Sequence, residues 1–173
     1  MNKIIEIMDE TFQNVDVKVD NIQIKYSDLG NLDKYILYVV KNMNGPLFTM
    51  ISGLITSMSV NLLTNFVNID LGIGFIRVVL SIMKLISCLT FNISFVCFTI
   101  IAMNINNEIS IPSDIVPKDQ TKYKLKQYLF QYSEHKSILK KHFVLSVLFG
   151  AITVLAIVLT PFIEYFVSVK PNQ

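Results

Sequence analysis

From Phe143 to Val169 the chain runs for 27 residues with Glu164 as its only charge, flanked by Lys140 and Lys141 before it and Lys170 after it. As a helix such a run measures ~40 Å, longer than the ~30 Å hydrocarbon core of a bilayer. Leu47 to Ile69 and Leu85 to Ile105 are also free of charge. Three apolar runs of this length predict an all-α membrane protein with three transmembrane helices. Charged residues make up only 16% of the chain, against ~25% in soluble domains.

The expected spans are about 46–69, about 78–103 and 143–169. Pro46 suits the first turn of a helix, where the missing N–H is not needed. Asp70 to Gly74 reads as a turn before the second span. A fourth span would require a break near Asn92, and neither Gly nor Pro stands there. The chain thus divides into an N-terminal segment (1–45), a transmembrane hairpin (46–105), a Lys-rich linker and helix (106–142), the third span (143–169) and a short tail (170–173). Asp119 is the expected cap of a helix that starts near Gln120 and continues into the third span.

Lysine placement predicts orientation. Seven lysines lie between Lys118 and Lys141, and Lys34 and Lys41 precede the first span, whereas the connector between spans one and two holds Arg77 alone. By the positive-inside rule the N-terminus and the Lys-rich segment are cytoplasmic and the tail external. The first residues lack the apolar core and cleavage site of a secretory signal, so insertion is expected to rely on the internal spans.

Residues 1–13 place Ile4, Ile5, Met8 and Phe12 at helical spacing. Residues 15–26 alternate apolar and polar and read either as a strand pairing across a subunit boundary or as a helix. Leu32, Tyr35, Ile36, Val39 and Val40 then resume a helical stripe.

Few residues carry chemistry. Arg77, Ser81, Lys84, Cys88 and Asn92 share one stripe of the second span, and ionisable groups in hydrocarbon usually face a partner or water. Glu164 lies at a similar depth, which predicts that it pairs with Lys84 or with Arg77; the alternative is that all three snorkel separately to the headgroups. Ser52 with Thr56, Gly53 with Ser57, and Ser146 with Gly150 form small-xxx-small spacings that favour close helix packing, within the chain or in a homo-oligomer. Lys122, Lys126, Lys136 and Lys140 are candidate contacts for anionic lipid or a nucleotide phosphate. Tyr123, Tyr128, Phe130 and Tyr132 among them read as interfacial aromatics rather than a nucleic-acid stacking platform. His135 and His142 have no further ligands for a metal site. Cys88 and Cys97 lie ~13 Å apart on one helix, too far to bridge. No catalytic set assembles, so neither an enzyme nor a cofactor is expected.

The segment Leu125-Lys-Gln127-Tyr-Leu-Phe-Gln-Tyr-Ser133-Glu-His-Lys-Ser-Ile-Leu-Lys140, leading directly into the last span, resembles the Gln-, Ser- and Lys-bearing helix of Pycsar and CBASS-type transmembrane effectors of cyclic-nucleotide anti-phage defence. The order of parts is similar too: a short N-terminal helix, a membrane hairpin, a cytoplasmic helical segment and a final span. After the second span this chain has Asn104-Ile-Asn-Asn-Glu108 in place of the family's motif. The resemblance implies an effector that oligomerises on a nucleotide or infection cue and disrupts the inner membrane. Its rivals are a membrane immunity or accessory protein that binds a partner protein without permeabilising the bilayer, and a small transporter subunit.

Overall fold

The computed structural model describes residues 2–12, 15–19, 22–67, 75–110, 112 and 116–168. In chain order these form α1 (Asn2–Phe12), β1 (Asp16–Val19), β2 (Ile22–Lys25), a 3-10 turn (Tyr26–Asp28), α2 (Asn31–Lys41), α3 (Gly45–Val67), α4 (Phe75–Glu108) and α5 (Pro117–Ser168). Stretches of α3, α4 and α5 are long and apolar enough to cross a membrane: Gly45–Thr64, Val78–Glu108 and Asp119–Phe162. Helix α4 passes Asn92 without a break, which gives three such helices rather than four among the described residues. The expected turn at Asp70 to Gly74 and the tail at 170–173 lie outside the described residues.

The chain divides into two compact units, one of residues 1–45 with 98–141, the other of residues 46–97 with 142–173. In the first, the all-α expectation fails at residues 16–25. Strands β1 and β2 pair antiparallel, with Asp16 opposite Lys25 and Val19 opposite Ile22. What reads as one alternating strand is therefore two, with Asp20 and Asn21 between them, a residue pair suited to a two-residue connection. An isolated hairpin is marginal in water. This one is anchored by the burial of Val15 and Tyr26 and by the stacking of the Tyr26 ring on Phe12 at 4.8 Å.

Helix α2 starts after Gly30, whose carbonyl accepts the Lys34 N–H at 3.0 Å. Asp33 in its first turn and Lys41 in its last complement the helix dipole. Its buried residues are Asp33, Ile36, Leu37 and Val40, a face rotated from the stripe expected from sequence because an acid replaces an apolar residue at its leading position. The core of this unit combines that face with Phe12, Phe98, Ala102, Ile105, Leu125, Leu129, Tyr132 and Leu139. The N-terminal segment and the Lys-rich helix, each too short for a core alone, share one.

Asp119 does not cap α5. The helix begins at Pro117, and the Val116 carbonyl accepts the Asp119 N–H at 2.9 Å. Pro at the first position and an acid in the first turn perform the task expected of a capping side chain. Pro161 sits inside α5 without ending it.

The second unit reverses the polarity of a soluble core. Ser59, Ser87, Ser94, Ser146 and Thr153 are buried, while Leu54, Met58, Ile86, Ile93, Val147, Leu155 and Val158 are exposed. In water that arrangement would leave a large apolar surface unmet; in hydrocarbon, where apolar side chains gain nothing from facing inward, small residues belong at helix contacts.

Candidate functional site

Two clusters of polar residues stand out, one in each unit. In the second unit they form an interhelical seam. Thr56 Oγ1 donates to Asn92 Oδ1 at 3.2 Å, Ser59 Oγ lies 3.2 Å from Cys88 Sγ, and Thr153 Oγ1 donates to Ser87 Oγ at 3.2 Å. The single hydroxyl hydrogen of each of Thr56, Ser59 and Thr153 also has an acceptor in the carbonyl four residues back on its own helix, so it is shared between that carbonyl and the seam and is not left without an acceptor. The stripe of Cys88 and Asn92 on α4 is therefore the face that meets α3.

Among the small residues singled out by spacing, Ser146 is buried and donates to the His142 and Phe143 carbonyls at 2.7 and 2.9 Å. Gly150 lies against the Phe91 ring, where an added Cβ would stand 3.3 Å from the nearest ring carbon. Gly150→Leu should accordingly destabilise the α4–α5 contact by about 1–3 kcal/mol through overpacking, measured as earlier thermal unfolding in detergent micelles. Gly53 differs: among the described residues nothing beyond its own helix backbone and chain neighbours lies within 4 Å of its added Cβ, and Ser57 is exposed beside it. The Ser52 hydroxyl is buried and has no hydrogen-bond partner among the described residues.

Lys84 is half-buried on α4, and among the described residues no carboxylate forms an ion pair with it. The side chains of Arg77 and Glu164, its expected neighbours, lie outside the described residues.

The second cluster, in the first unit, centres on Asp33, whose side chain is 6% exposed. Lys136 Nζ lies 3.2 Å from its Oδ2, Lys140 Nζ 3.6 Å from its Oδ1, and the Tyr132 hydroxyl donates to Oδ1 at 3.1 Å. Burial alone would push the carboxyl up, but Lys136 foremost, then Tyr132 and Lys140, outweigh it and hold the group below the usual carboxylate range. Burial, followed by the Asp33 charge, pushes the Tyr132 phenol well above its ordinary value. Two of the four lysines considered for anion contact thus already face an anion of their own chain. Lys122 is exposed and Lys126 half-exposed.

Nearby, Asn106 ties three helices of this unit together. Its amide donates to the Val40 and Ala102 carbonyls at 2.9 Å each, and its Oδ1 accepts the Tyr128 hydroxyl at 2.6 Å. Tyr132, read from sequence as interfacial, is fully buried, and Tyr128 is half-buried in this network.

A cleft of ≈ 550 Å³ opens beside the hairpin, floored by Phe12, Val15 and Tyr26. The charges of its lining balance, Lys25 and Lys34 against Asp9 and Asp16; Lys34 pairs with Asp9 at 2.7 Å, and the Gln23 amide donates to Asp16 at 3.0 Å. Among the described residues no cluster of His, Cys, Asp and Glu is arranged to hold a metal ion. No family matches the chain, and no curated protein or solved structure shows significant similarity to it.

Proposed function

We propose that this chain is a non-enzymatic, three-span protein of the bacterial inner membrane, cytoplasmic at its N-terminus, that associates with its own copies. On a nucleotide or infection cue the assembly disrupts membrane integrity in anti-phage defence. One observation carries the self-association: α3 has two polar faces. Ser59 on one side packs against Cys88, while Gly53, Ser57, Asn61 and Thr64 are exposed on the other. A carboxamide such as Asn61 gains most, in hydrocarbon, from a second helix offering hydrogen-bond partners, and Gly53 lets that helix approach closely.

Support for a cue-driven effector comes from the Gln-, Ser- and Lys-bearing segment at residues 125–140 and from the extent of α5. This helix contains both that segment and the last apolar run, so a cue displacing its first turns acts on a spanning helix.

The test is membrane potential in cells expressing the chain, followed with a potential-sensitive dye before and after phage infection. Depolarisation on infection is the expected result. Cells that stay polarised in every condition would reject membrane disruption and return the reading to an accessory or immunity protein.

A further inference from the structure

The Asp33 cluster has the form of an occupied anion site. Three donors from one face of α5 converge on both oxygens of a single carboxylate: the Tyr132 hydroxyl and the Lys136 and Lys140 ammonium groups. Residues four apart on a helix share a face, and here both lysines bend to the same acid. The charges do not balance, since two ammonium groups meet one carboxylate and leave an excess of one positive charge.

Access is uneven. Asp33 is 6% exposed, whereas the Lys136 and Lys140 side chains are 40% and 46% exposed. Each ammonium has three N–H donors, so those not aimed at Asp33 are reachable from solvent. A phosphate group, with more oxygens and up to two negative charges, matches this donor set better than a carboxylate does.

We propose that Tyr132, Lys136 and Lys140 form a phosphate-binding site that Asp33 occupies as an internal stand-in, so that a phosphate group displacing Asp33 also unlatches α2 from α5. The phosphate comes from a soluble molecule or from a lipid headgroup. Lys140 stands three residues before the apolar run that starts at Phe143, which places the site within reach of anionic headgroups when that run spans a bilayer. The inference does not rest on the defence reading and holds for any membrane protein with this cluster.

Lysine acetylation footprinting of the full chain, read residue by residue by mass spectrometry, tests it. One arm titrates inorganic phosphate onto protein in neutral detergent. The other compares nanodiscs of phosphatidylcholine with nanodiscs that also contain phosphatidylglycerol. In Asp33→Asn, Lys136 and Lys140 should label faster than in the wild type, and one of the two probes should protect them again. The wild type should need about tenfold more of that probe, because its own carboxylate competes. Lys140→Gln keeps Lys136 on Asp33, preserves the latch and should lose the probe's effect at Lys136. Lys122 and Lys124, exposed on the same helix, report general charge screening.

Protection by phosphate in detergent identifies a soluble ligand; protection only in phosphatidylglycerol identifies a headgroup. If neither probe protects Lys136 and Lys140 beyond Lys122 and Lys124, in the wild type and in Asp33→Asn alike, the site does not exist. Unchanged protection of Lys136 in Lys140→Gln overturns it equally.

Discussion

Asp33→Ala should destabilise the first unit by about 1–3 kcal/mol, the cost of stranding a buried hydroxyl and breaking an ion cluster whose cations can still reach water. The Tyr132 hydroxyl loses its acceptor inside a fully buried site. Lys136 and Lys140, both more than one-third exposed, turn toward solvent and recover most of their hydration, which keeps the loss below that of a fully buried pair. They also repel each other across one helical turn once the acid is gone. Asp33→Asn should cost less, since its carboxamide oxygen still accepts from Tyr132. Thermal unfolding in detergent micelles, followed by circular dichroism, ranks the three proteins; an Asp33→Ala melt equal to the wild type would remove the cluster as a stabilising element.

The same residue sets an acid limit. Its folded-state carboxyl titrates below the ordinary value, near 3.9 in an unfolded chain. A depressed carboxyl contributes stability that is fully present above the unfolded value and is lost as pH falls through the lower, folded one. The gap between wild type and Asp33→Ala should stay constant from neutral pH to about pH 5 and narrow below about pH 4 to the share held by the Tyr132 hydrogen bond, which a neutral carboxyl still accepts. A gap that closed near pH 6 would assign the effect to another group.

Why the apolar helices are legible in sequence while this cluster is not follows from the distance over which each is encoded. A charge-free run states its environment residue by residue, so α3, α4 and the second half of α5 follow from composition alone. Asp33 meets partners roughly a hundred positions away, and no local pattern specifies such a pairing. A trace of it exists nonetheless: Asp33, Ile36, Leu37 and Val40 stand at the i, i+3, i+4, i+7 spacing of one helix face. An acid at the head of an apolar stripe demands a cationic partner, and Lys136 and Lys140 of α5 reach it from the half-exposed side. The hairpin at 16–25 leaves only a slight mark in the sequence: the apolar positions are odd from Val15 to Val19 and even from Ile22 to Tyr26, a shift of phase at Asp20 and Asn21 that a reading of one continuous strand passes over. The seam of Ser59, Ser87 and Thr153 escapes notice because single hydroxyls scatter through apolar helices, and only the fold shows which ones meet.

Gly53→Ile should separate association from folding. At Gly53 an added Cβ meets no described residue outside its own helix, and exchanging Gly for a bulkier residue within a helix removes the entropy penalty that glycine carries. The isolated chain should therefore fold at least as well as the wild type. If copies associate through this face of α3, the new side chain forces the helices apart just where glycine lets them touch, and energy transfer between differently labelled copies in nanodiscs should fall about tenfold or more in apparent affinity. Infected cells carrying the variant should then keep their membrane potential. Gly150→Leu supplies the contrast, because its first carbon presses on Phe91 within the same chain, so it should lower thermal stability whatever the oligomeric state. Undiminished energy transfer in Gly53→Ile would exclude this face of α3 as the self-association surface. Lost transfer accompanied by a melt as early as that of Gly150→Leu would show that position 53 serves the fold of the single chain instead.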